Sequence, residues 1–300
     1  MARSAIATAA LALAVVTASL GGCEDPTGPR SDPGAHRDRP IRAGDAYVAL
    51  GDSYTAAYRT GPTDERSGRC LRSLRNYPRL LAAELDLRLT DVSCGGATTD
   101  AGLSPQQWPN GDSVPPQAQA LDEQTDLVTI SLGANDHALF TGLVVTCVQL
   151  AADDPDGRPC SDLVAQDPGR ADRQFAEITR SVAALVRAAA SAAPEARIVV
   201  VGYPRIFPEQ GPCDQIPLAS GDFALAYGVV DDINASLRAA AAETGTDFAD
   251  LWSLTRGHDM CGEDPWIAGT DPTRDDGYPY HPFPEEQAAV ADLLAAMVGS

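Results

Sequence analysis

Short apolar strands alternate with long helical segments from residue 45 to the end of this 300-residue chain. Five runs of apolar, β-forming residues are predicted as strands, and four segments rich in helix-forming residues are predicted as helices. Such alternation is typical of a parallel sheet with right-handed crossovers and helices on both faces. The predicted fold is therefore α/β with three layers, a flavodoxin-like, doubly wound sheet of about five strands in the order 2-1-3-4-5. The predicted strands are Ala46–Leu50, Leu87–Val92, Leu127–Leu132, Arg197–Gly202 and Asp247–Leu251, and the predicted helices are Tyr77–Leu85, Arg170–Ala193, Leu218–Thr244 and Pro284–Val298.

The amino terminus has the pattern of an export signal. Arg3 precedes an apolar run over residues 5–19, which predicts a signal peptide over residues 1–22. The run is shorter than the ~20 apolar residues that span a membrane as a helix, so a transmembrane anchor is not expected. Residues 23–44 are rich in Pro, Gly, Asp and Arg and are predicted to be a flexible tether. The folded domain is predicted over residues 45–300.

The end of the signal predicts a lipid anchor. Leu20-Gly21-Gly22-Cys23 is similar to a bacterial lipobox, in which the cysteine becomes the lipid-bearing amino terminus after cleavage. Cys23 is therefore the predicted lipidation site, and membrane contact is expected only through that lipid. The alternative is an ordinary secretory signal with an incidental cysteine. Both interpretations place the protein outside the cell or on its surface.

The net charge of −20 limits the possible partners. Nucleic acids and anionic membrane surfaces are bound by clustered basic side chains, so neither is expected as a partner. With 44% hydrophobic residues the chain can form one large core. We also expect the protein to be a monomer.

Six cysteines remain when Cys23 is set aside, an even set in a chain predicted to be exported. None has CxxC spacing and the histidines do not cluster with them, so no metal site is expected. Pairing between neighbours along the chain is predicted, because each link would hold a loop between regular elements. The predicted disulfides are Cys70–Cys94, Cys147–Cys160 and Cys213–Cys261.

Three of the predicted strands are followed by residues suited to acyl transfer. The first runs into Ser53, the second into Gly96 and the third into Asn135. In the order 2-1-3 these three turns meet at one crevice of the sheet. Ser53 Oγ is the candidate nucleophile, and the backbone N–H groups of Ser53 and Gly96 with the amide of Asn135 are candidate oxyanion-hole donors. A serine in a turn more often caps a helix, so the prediction depends on the other turns and on a base.

Four histidines are candidates for that base. His36 lies in the tether, and His258 is predicted to be structural. His137 shares the turn of Asn135. His281 immediately precedes the terminal predicted helix, whose strong start would hold the preceding loop in place. His281 is therefore the predicted general base.

These blocks resemble a known family. The segments Gly51-Asp52-Ser53-Tyr54, Gly96, Gly133-Ala134-Asn135-Asp136 and His281-Pro282, in this order, are similar to those of the SGNH (GDSL-type) hydrolases. The stretch from Ser93 to Thr99 and the pattern Cys261…Pro265-Trp266 further resemble the secreted actinobacterial esterases and lipases. The resemblance covers residues 46–298. It implies the SGNH hydrolase fold, three disulfides and hydrolysis of carboxylic esters without a cofactor or metal, with Ser53 as nucleophile, His281 as base, and Gly96 and Asn135 as oxyanion partners.

The chain departs from the family pattern at one position. Most members place an aspartate three residues before the histidine, and here that residue is Tyr278. We expect the backbone carbonyl of Tyr278 to accept the imidazole N–H in its place. The alternative is a carboxylate from Asp275 or Asp276, although both are out of the usual register.

The predicted function is therefore that of an exported lipase or esterase that forms an acyl-enzyme on Ser53, and its expected partner is a small-molecule or lipid ester. A carbohydrate O-acetyl esterase is the alternative, and a non-catalytic surface binding protein of the same fold is another. The apolar residues after Asn135 either line an acyl pocket or form a buried helical turn. They are Leu139, Phe140, Leu143, Val144 and Val145.

Overall fold

The computed structural model describes residues 40–209, 211–272 and 274–299. Its main sheet has five strands in the order β2-β1-β3-β4-β5, and every neighbouring pair is parallel. The order 2-1-3-4-5 and the α/β class predicted from the sequence are confirmed. The strands are β1 Ala46–Gly51, β2 Arg88–Asp91, β3 Leu127–Ser131, β4 Arg197–Val201 and β5 Asp247–Ala249.

Both faces of the sheet are buried, which explains why its central strands are mostly apolar. In β1, Val48 and Leu50 pack into one hydrophobic core, while Tyr47 and Ala49 pack into the other. Side chains alternate between the faces of a strand, so a strand covered on both sides favours apolar residues on both faces.

Four long helices cover the two faces. They are α1 Tyr77–Glu84, α2 Arg170–Ala192, α3 Phe223–Thr244 and α4 Pro284–Val298. Helices α2 and α3 pack together on the face of Val48 and Leu50, and α1 and α4 pack together on the opposite face. The protein thus has three layers, α/β/α.

Short elements fill the connections. The region 141–166 contains helical turns, and the disulfide Cys147–Cys160 joins two of them. The short α-helices are Ser53–Ala56, Thr99–Leu103, Leu139–Thr141, Val148–Ala151, Pro159–Val164 and Leu251–Leu254; Gly142–Cys147 is a π-helical turn; Glu65–Cys70, Gln117–Ala120 and Asp136–Ala138 are 3₁₀ turns; Gln106–Gln107 and Ser113–Val114 form a two-stranded hairpin.

Among the cysteines that the structure describes, three disulfides join neighbours along the chain. They are Cys70–Cys94, Cys147–Cys160 and Cys213–Cys261.

The folded part begins before the predicted boundary at residue 45. Ile41 is buried, and its N–H donates to the carbonyl of Val298 at 2.9 Å. Ile41, which the sequence assigns to the tether over residues 23–44, therefore packs against the folded domain. The predicted signal peptide (residues 1–22) and Cys23 lie outside the described residues. Within those that are described, no helix has the length and apolar character to span a membrane.

Candidate active site

Ser53 lies just past the carboxyl end of β1, where the strand turns directly into the helix Ser53–Ala56. The side chain of Gln117 holds this turn, since it accepts from the Gly51 N–H and donates to the Gly51 carbonyl. Asp52 caps the short helix by accepting from the N–H of Tyr54 at 2.9 Å. Ser53 itself is 8% exposed, so the turn presents it at the floor of a cleft rather than at the surface.

One cleft of about 720 Å³ brings the four predicted site residues together. Ser53, Gly96, Asn135 and His281 all line it, and they come from four separate loops. The strand order explains this, because β2, β1 and β3 are adjacent and their carboxyl ends face the same crevice.

The turn after β3 presents the amide of Asn135. Its Nδ2 donates to the carbonyl of Ala97 at 3.0 Å and to Oδ2 of Asp52 at 3.3 Å. On the other side of the crevice Gly96 has φ +74°, a conformation that glycine adopts without strain and that turns its backbone into the cleft. Gly96 and Asn135 therefore line the same cleft as Ser53, from the turns after the two strands that flank β1.

A buried carboxylate, Asp52, links three strand ends beneath the cleft. Besides Tyr54 and Asn135 it accepts from the hydroxyl of Tyr203 at 2.7 Å, just after β4. Burial raises the pKa of Asp52 to about 7, although the hydrogen bonds from Tyr54 and Tyr203 act in the opposite direction. The contacts of Asp52 to Asn135 and Tyr203 join residues far apart along the chain, so the sequence gives no sign of them.

Nearby, Asp136 accepts from both the N–H and the hydroxyl of Thr99. It thereby ties the turn after β3 to the helix Thr99–Leu103. Its role is to hold two loops of the cleft together.

The imidazole of His281 is held by the backbone carbonyl of Pro279. The prediction that the carbonyl of Tyr278 accepts from the imidazole is therefore wrong. His281 Nδ1 lies 2.7 Å from the oxygen of Pro279. The oxygen of Tyr278 instead accepts the backbone N–H of His281 at 3.0 Å and closes a tight turn. Tyr280 adopts φ +63° in that turn, and this places the imidazole over the carbonyl two residues back rather than three.

The alternative carboxylates do not orient the imidazole. Asp276 pairs with Arg274 at 2.9 Å, which also lowers the pKa of that carboxyl, and Asp275 is exposed to solvent. Within the described residues, the imidazole of His281 is therefore held by a carbonyl.

Aromatic rings surround His281 on several sides. The ring of Tyr54 stacks on the imidazole at 5.6 Å, and the rings of Tyr58 and Tyr278 lie at 5.7 and 5.2 Å. Burial lowers the pKa of His281 to about 4, and the hydrogen bond to Pro279 opposes this shift only in part. The imidazole is therefore neutral at physiological pH, the state that a general base requires.

The other described histidines lie elsewhere. His137 Nε2 is 3.1 Å from a carboxylate oxygen of Glu177, and His258 stacks on Trp266 at 3.8 Å. Neither lines the cleft. In the described ranges, no cluster of three or more His, Cys, Asp or Glu side chains is arranged to hold a metal ion.

Backbone strain concentrates around the cleft. Seven non-glycine residues in the described segments have a positive φ, and all except Asp86 lie in the loops that border it. Strain of this kind is typical of sites whose geometry is fixed by function. The six are Ala57, Arg59, Leu71, His137, Ala138 and Tyr280.

The family model of GDSL-like lipases/acylhydrolases matches residues 49–288. This span includes every residue that lines the cleft. The chain belongs to this family. It is therefore a carboxylic ester hydrolase, and its substrates are esters.

Individual members of the family are similar over most of the domain. Lipase 2 of Streptomyces coelicolor is 34% identical over 204 residues, which are 67% of this chain and 67% of the relative. A lipase of Streptomyces rimosus is 32% identical over 216 residues, covering 69% of this chain and 70% of the relative.

Solved structures give the same result. The crystal structure of an extracellular lipase from Streptomyces rimosus superposes with a TM-score of 0.69 at 29% identity and covers 85% of this chain and 100% of that one. That of phospholipase A1 from Streptomyces albidoflavus gives a TM-score of 0.68 at 29% identity, with the same coverage.

Proposed function

We propose that the chain is an exported lipase or esterase that works through an acyl-enzyme on Ser53. His281 Nε2 takes the proton of the serine hydroxyl as Oγ attacks the ester carbonyl. The imidazole becomes cationic, and its Nδ1–H donates to the carbonyl of Pro279, which fixes the tautomer and the direction of Nε2. The same histidine then protonates the leaving alcohol, and a water molecule hydrolyses the acyl-enzyme by the reverse route.

The tetrahedral oxyanion is stabilised by the N–H groups of Ser53 and Gly96 and by the amide of Asn135. The hydrogen bond from Asn135 Nδ2 to Asp52 is 3.3 Å long, and the one to the carbonyl of Ala97 is 3.0 Å long. Because the bond to Asp52 is the longer one, its hydrogen is the first for which an oxyanion competes. Loss of one such donor typically lowers kcat by ~10²–10³-fold, and we expect that range for Asn135→Ala.

The acyl chain lies along the apolar wall formed by Phe140, Val144 and Val145, which follows the turn of Asn135. Leu143 faces the core instead and is 4% exposed. Apolar burial is worth at most about 0.8 kcal/mol per methylene, so chains longer than acetyl gain affinity until the wall ends. This wall is the observation that favours a lipase or esterase over a carbohydrate O-acetyl esterase.

Export by the signal over residues 1–22, with a lipid on Cys23, would place the enzyme on the outer cell surface as a monomer. The relatives from Streptomyces, one of them named an extracellular lipase, support export.

The observation that carries the mechanism is that Ser53, Gly96, Asn135 and His281 line one cleft. We expect p-nitrophenyl esters to be hydrolysed, with butyrate or longer chains preferred to acetate. Ser53→Ala and His281→Gln should each lower kcat by at least about 10³-fold. His137→Gln is the matched control, since it removes a nearby histidine that does not line the cleft, and it should retain activity. Equal losses in His137→Gln and His281→Gln would contradict the assignment of the base.

A further inference from the structure

Tyr203 is a buried tyrosine that reaches the site from β4, a strand that supplies none of the four residues assigned to the mechanism. It lies two residues past the end of β4 and is 0% exposed. Tyr203 does not line the cleft, yet its hydroxyl donates to Asp52 beneath the cleft at 2.7 Å. Any effect of Tyr203 on an ester in the cleft must therefore pass through other residues.

The backbone of Tyr203 is fixed by Asn234, a buried residue of α3. The N–H of Tyr203 donates to Oδ1 of Asn234 at 2.8 Å, and Nδ2 of Asn234 donates to the carbonyl of Tyr203 at 3.1 Å. Glycine at position 202 permits this approach, because a Cβ on Gly202 would lie only 2.6 Å from Oδ1 of Asn234. Tyr203 therefore takes its position from the core of the protein rather than from the loops of the cleft.

The hydroxyl of Tyr203 bonds to both sides of the turn that carries Asn135. It accepts from the N–H of Ala134, the residue before Asn135, at 3.3 Å. Its single hydrogen goes to Oδ2 of Asp52, and the same oxygen accepts from Nδ2 of Asn135 at 3.3 Å. Tyr203 thus contacts the backbone of this turn directly and the side-chain amide of Asn135 through one carboxylate.

Asp52 is held more firmly by Tyr203 than by Asn135. The hydrogen bond from Tyr203 to Oδ2 is 2.7 Å long and the one from the N–H of Tyr54 to Oδ1 is 2.9 Å long. The bond from Asn135 is longer, at 3.3 Å. Short hydrogen bonds to an ionised acceptor are the strong ones. The carboxylate therefore stays in place and orients the amide, while the long bond leaves a hydrogen of Asn135 available to an oxyanion.

We propose that Tyr203 is a positioning residue of the oxyanion hole, whose hydroxyl holds the amide of Asn135 where it donates to the tetrahedral oxyanion. This inference rests on the proposed function of the cleft. Donors that are fixed before the reaction need no reorganisation when charge develops. Without the hydroxyl, the N–H of Ala134 loses its partner. Asn135 then becomes the remaining side-chain donor to Oδ2 of Asp52 among the described contacts, which draws the amide away from the oxyanion.

The first test removes only the hydroxyl. Tyr203→Phe keeps the ring and its edge contact with Tyr54, whose centroid lies 5.7 Å away. With p-nitrophenyl butyrate we expect kcat to fall about 10-fold and KM to stay unchanged, because the interaction is made in the transition state. Rates are divided by the number of sites that a fluorophosphonate titrates, so that an unfolded fraction does not count as a loss of kcat.

Tyr47→Phe is the matched control for this variant. It also removes a buried tyrosine hydroxyl, but that hydroxyl bonds Thr129 at 2.8 Å and its ring lies in the opposite core. Tyr47→Phe should keep the wild-type kcat. A wild-type kcat in Tyr203→Phe would overturn the proposal, and so would equal losses in the two variants.

A double-mutant cycle shows whether Tyr203 acts through Asn135. In the Asn135→Ala background, Tyr203→Phe should lower kcat by less than about 2-fold, because the amide that the hydroxyl positions is already gone. A merely structural tyrosine would cost the same factor in both backgrounds. A further fall of about 10-fold in the double variant would therefore overturn the proposal.

A ketone that forms an oxyanion in the site separates transition-state from ground-state binding. Oγ of Ser53 adds to the carbonyl carbon of hexyl trifluoromethyl ketone, its proton passes to Nε2 of His281, and the carbonyl oxygen becomes the oxyanion. The inhibition constant should rise about 10-fold in Tyr203→Phe, in line with kcat. That of hexyl methyl ketone, which binds without a stable adduct, should stay unchanged.

Equal rises for the two ketones would overturn the positioning role, since the whole cleft would then be distorted. All of these outcomes leave the turnover of the wild type intact. They differ from a failure of the proposed function itself, in which the wild type hydrolyses no p-nitrophenyl ester and forms no adduct with the trifluoromethyl ketone.

Discussion

His281 combines a neutral imidazole with a fixed direction. The carbonyl of Pro279 holds Nδ1, and the ring of Tyr54 stacks on one face. A carbonyl carries less charge than a carboxylate and therefore raises the basicity of the imidazole less. Burial dominates, and the pKa of the histidine falls to about 4. The site thus has a weaker base than a full triad, but one that is deprotonated over a wide pH range.

The pH profile should reflect this state. Because the base must be neutral, activity is lost only when the medium is acidic enough to protonate His281. We expect the acid limb of kcat/KM to have its midpoint near pH 4, well below the ordinary histidine value of 6.5. The profile is measured with a p-nitrophenyl ester, at pH values where the protein remains folded by circular dichroism. A limb near 6.5 would mean that the imidazole is solvated in the working enzyme.

Tyr54 connects the nucleophile to the base. It follows Ser53 directly, and its hydroxyl donates to the carbonyl of Tyr280 at 2.6 Å, one residue before His281. Tyr54 is therefore a positioning residue. The sequence placed it in the motif but gave no sign of this contact, because the partner lies 226 residues away.

Tyr54→Phe keeps the stacked ring and removes only the hydrogen bond. We expect kcat to fall about 3- to 10-fold with KM unchanged, since one buried hydrogen bond is worth about 0.5–1.5 kcal/mol. Tyr47→Phe is the matched control: its hydroxyl bonds Thr129 at 2.8 Å inside the opposite core, so stability should fall to a similar extent while kcat is retained. A fall in kcat of the same size in both variants would argue against a positioning role.

At the scale of elements, the site depends on how loops are tied to the sheet. Gln287, on the first turn of α4, accepts from the N–H of Tyr77 at 2.7 Å and donates to the carbonyl of Tyr54 at 3.1 Å. The hydroxyl of Thr60 donates to the carbonyl of Pro282 at 3.0 Å. The loop of the base is thus fastened to the segment that follows the nucleophile at several points.

Regular elements could be predicted from the sequence because their signals are local. The buried strands β1, β3 and β4 lie where apolar runs end at glycine or at polar turns, and the predicted ends of α4 are those observed. Helix α3 begins at Phe223 rather than the predicted Leu218. The carboxylate of Asp222 accepts from the N–H groups of Cys160 and Ser161, and this long-range contact fixes the preceding residues as a turn. The prediction that the Tyr278 carbonyl accepts from His281 is wrong for a local reason, because nothing in the sequence signals the positive φ at Tyr280.

Opening the disulfide Cys70–Cys94 should affect both stability and the site. It closes a loop of 24 residues, and cross-links of this length contribute about 3 kcal/mol by constraining the unfolded chain. The double variant Cys70→Ser/Cys94→Ser should lose about that much free energy of unfolding in denaturant titrations. Its kcat should fall as well, because Gly96 is two residues from Cys94. Full kcat with reduced stability would mean that the sheet alone positions the oxyanion donor.

At the scale of the whole molecule, buried carboxyl groups couple stability to pH. Glu286 is 1% exposed, and burial raises its pKa to about 8 although Gln287 donates a hydrogen bond to it at 2.6 Å. In the unfolded chain its pKa is the ordinary 4.5. The native state therefore holds this proton between about pH 4.5 and 8 while the unfolded state releases it. The stabilising contribution is complete below pH 4.5 and is lost as the pH rises through 8.

Glu286→Gln should remove this dependence. We expect the melting temperature of Glu286→Gln to depend less on pH than that of the wild type between pH 5 and pH 8. The melting temperature of the variant should exceed that of the wild type by the largest margin at about pH 8. Glu285→Gln is the control, since Glu285 is exposed on the same turn and pairs with Arg274. If the melting temperatures of the wild type and Glu286→Gln changed equally with pH across this range, Glu286 would be solvated.

Activation of Ser53 by His281 is tested most directly by covalent labelling with a fluorophosphonate at pH 7, followed by peptide mass spectrometry. We expect one modification per molecule, on the peptide that contains Ser53, absent from Ser53→Ala and at least about 10²-fold slower in His281→Gln. A folded wild-type protein that remains unlabelled at Ser53, or that is labelled equally fast without His281, would contradict it.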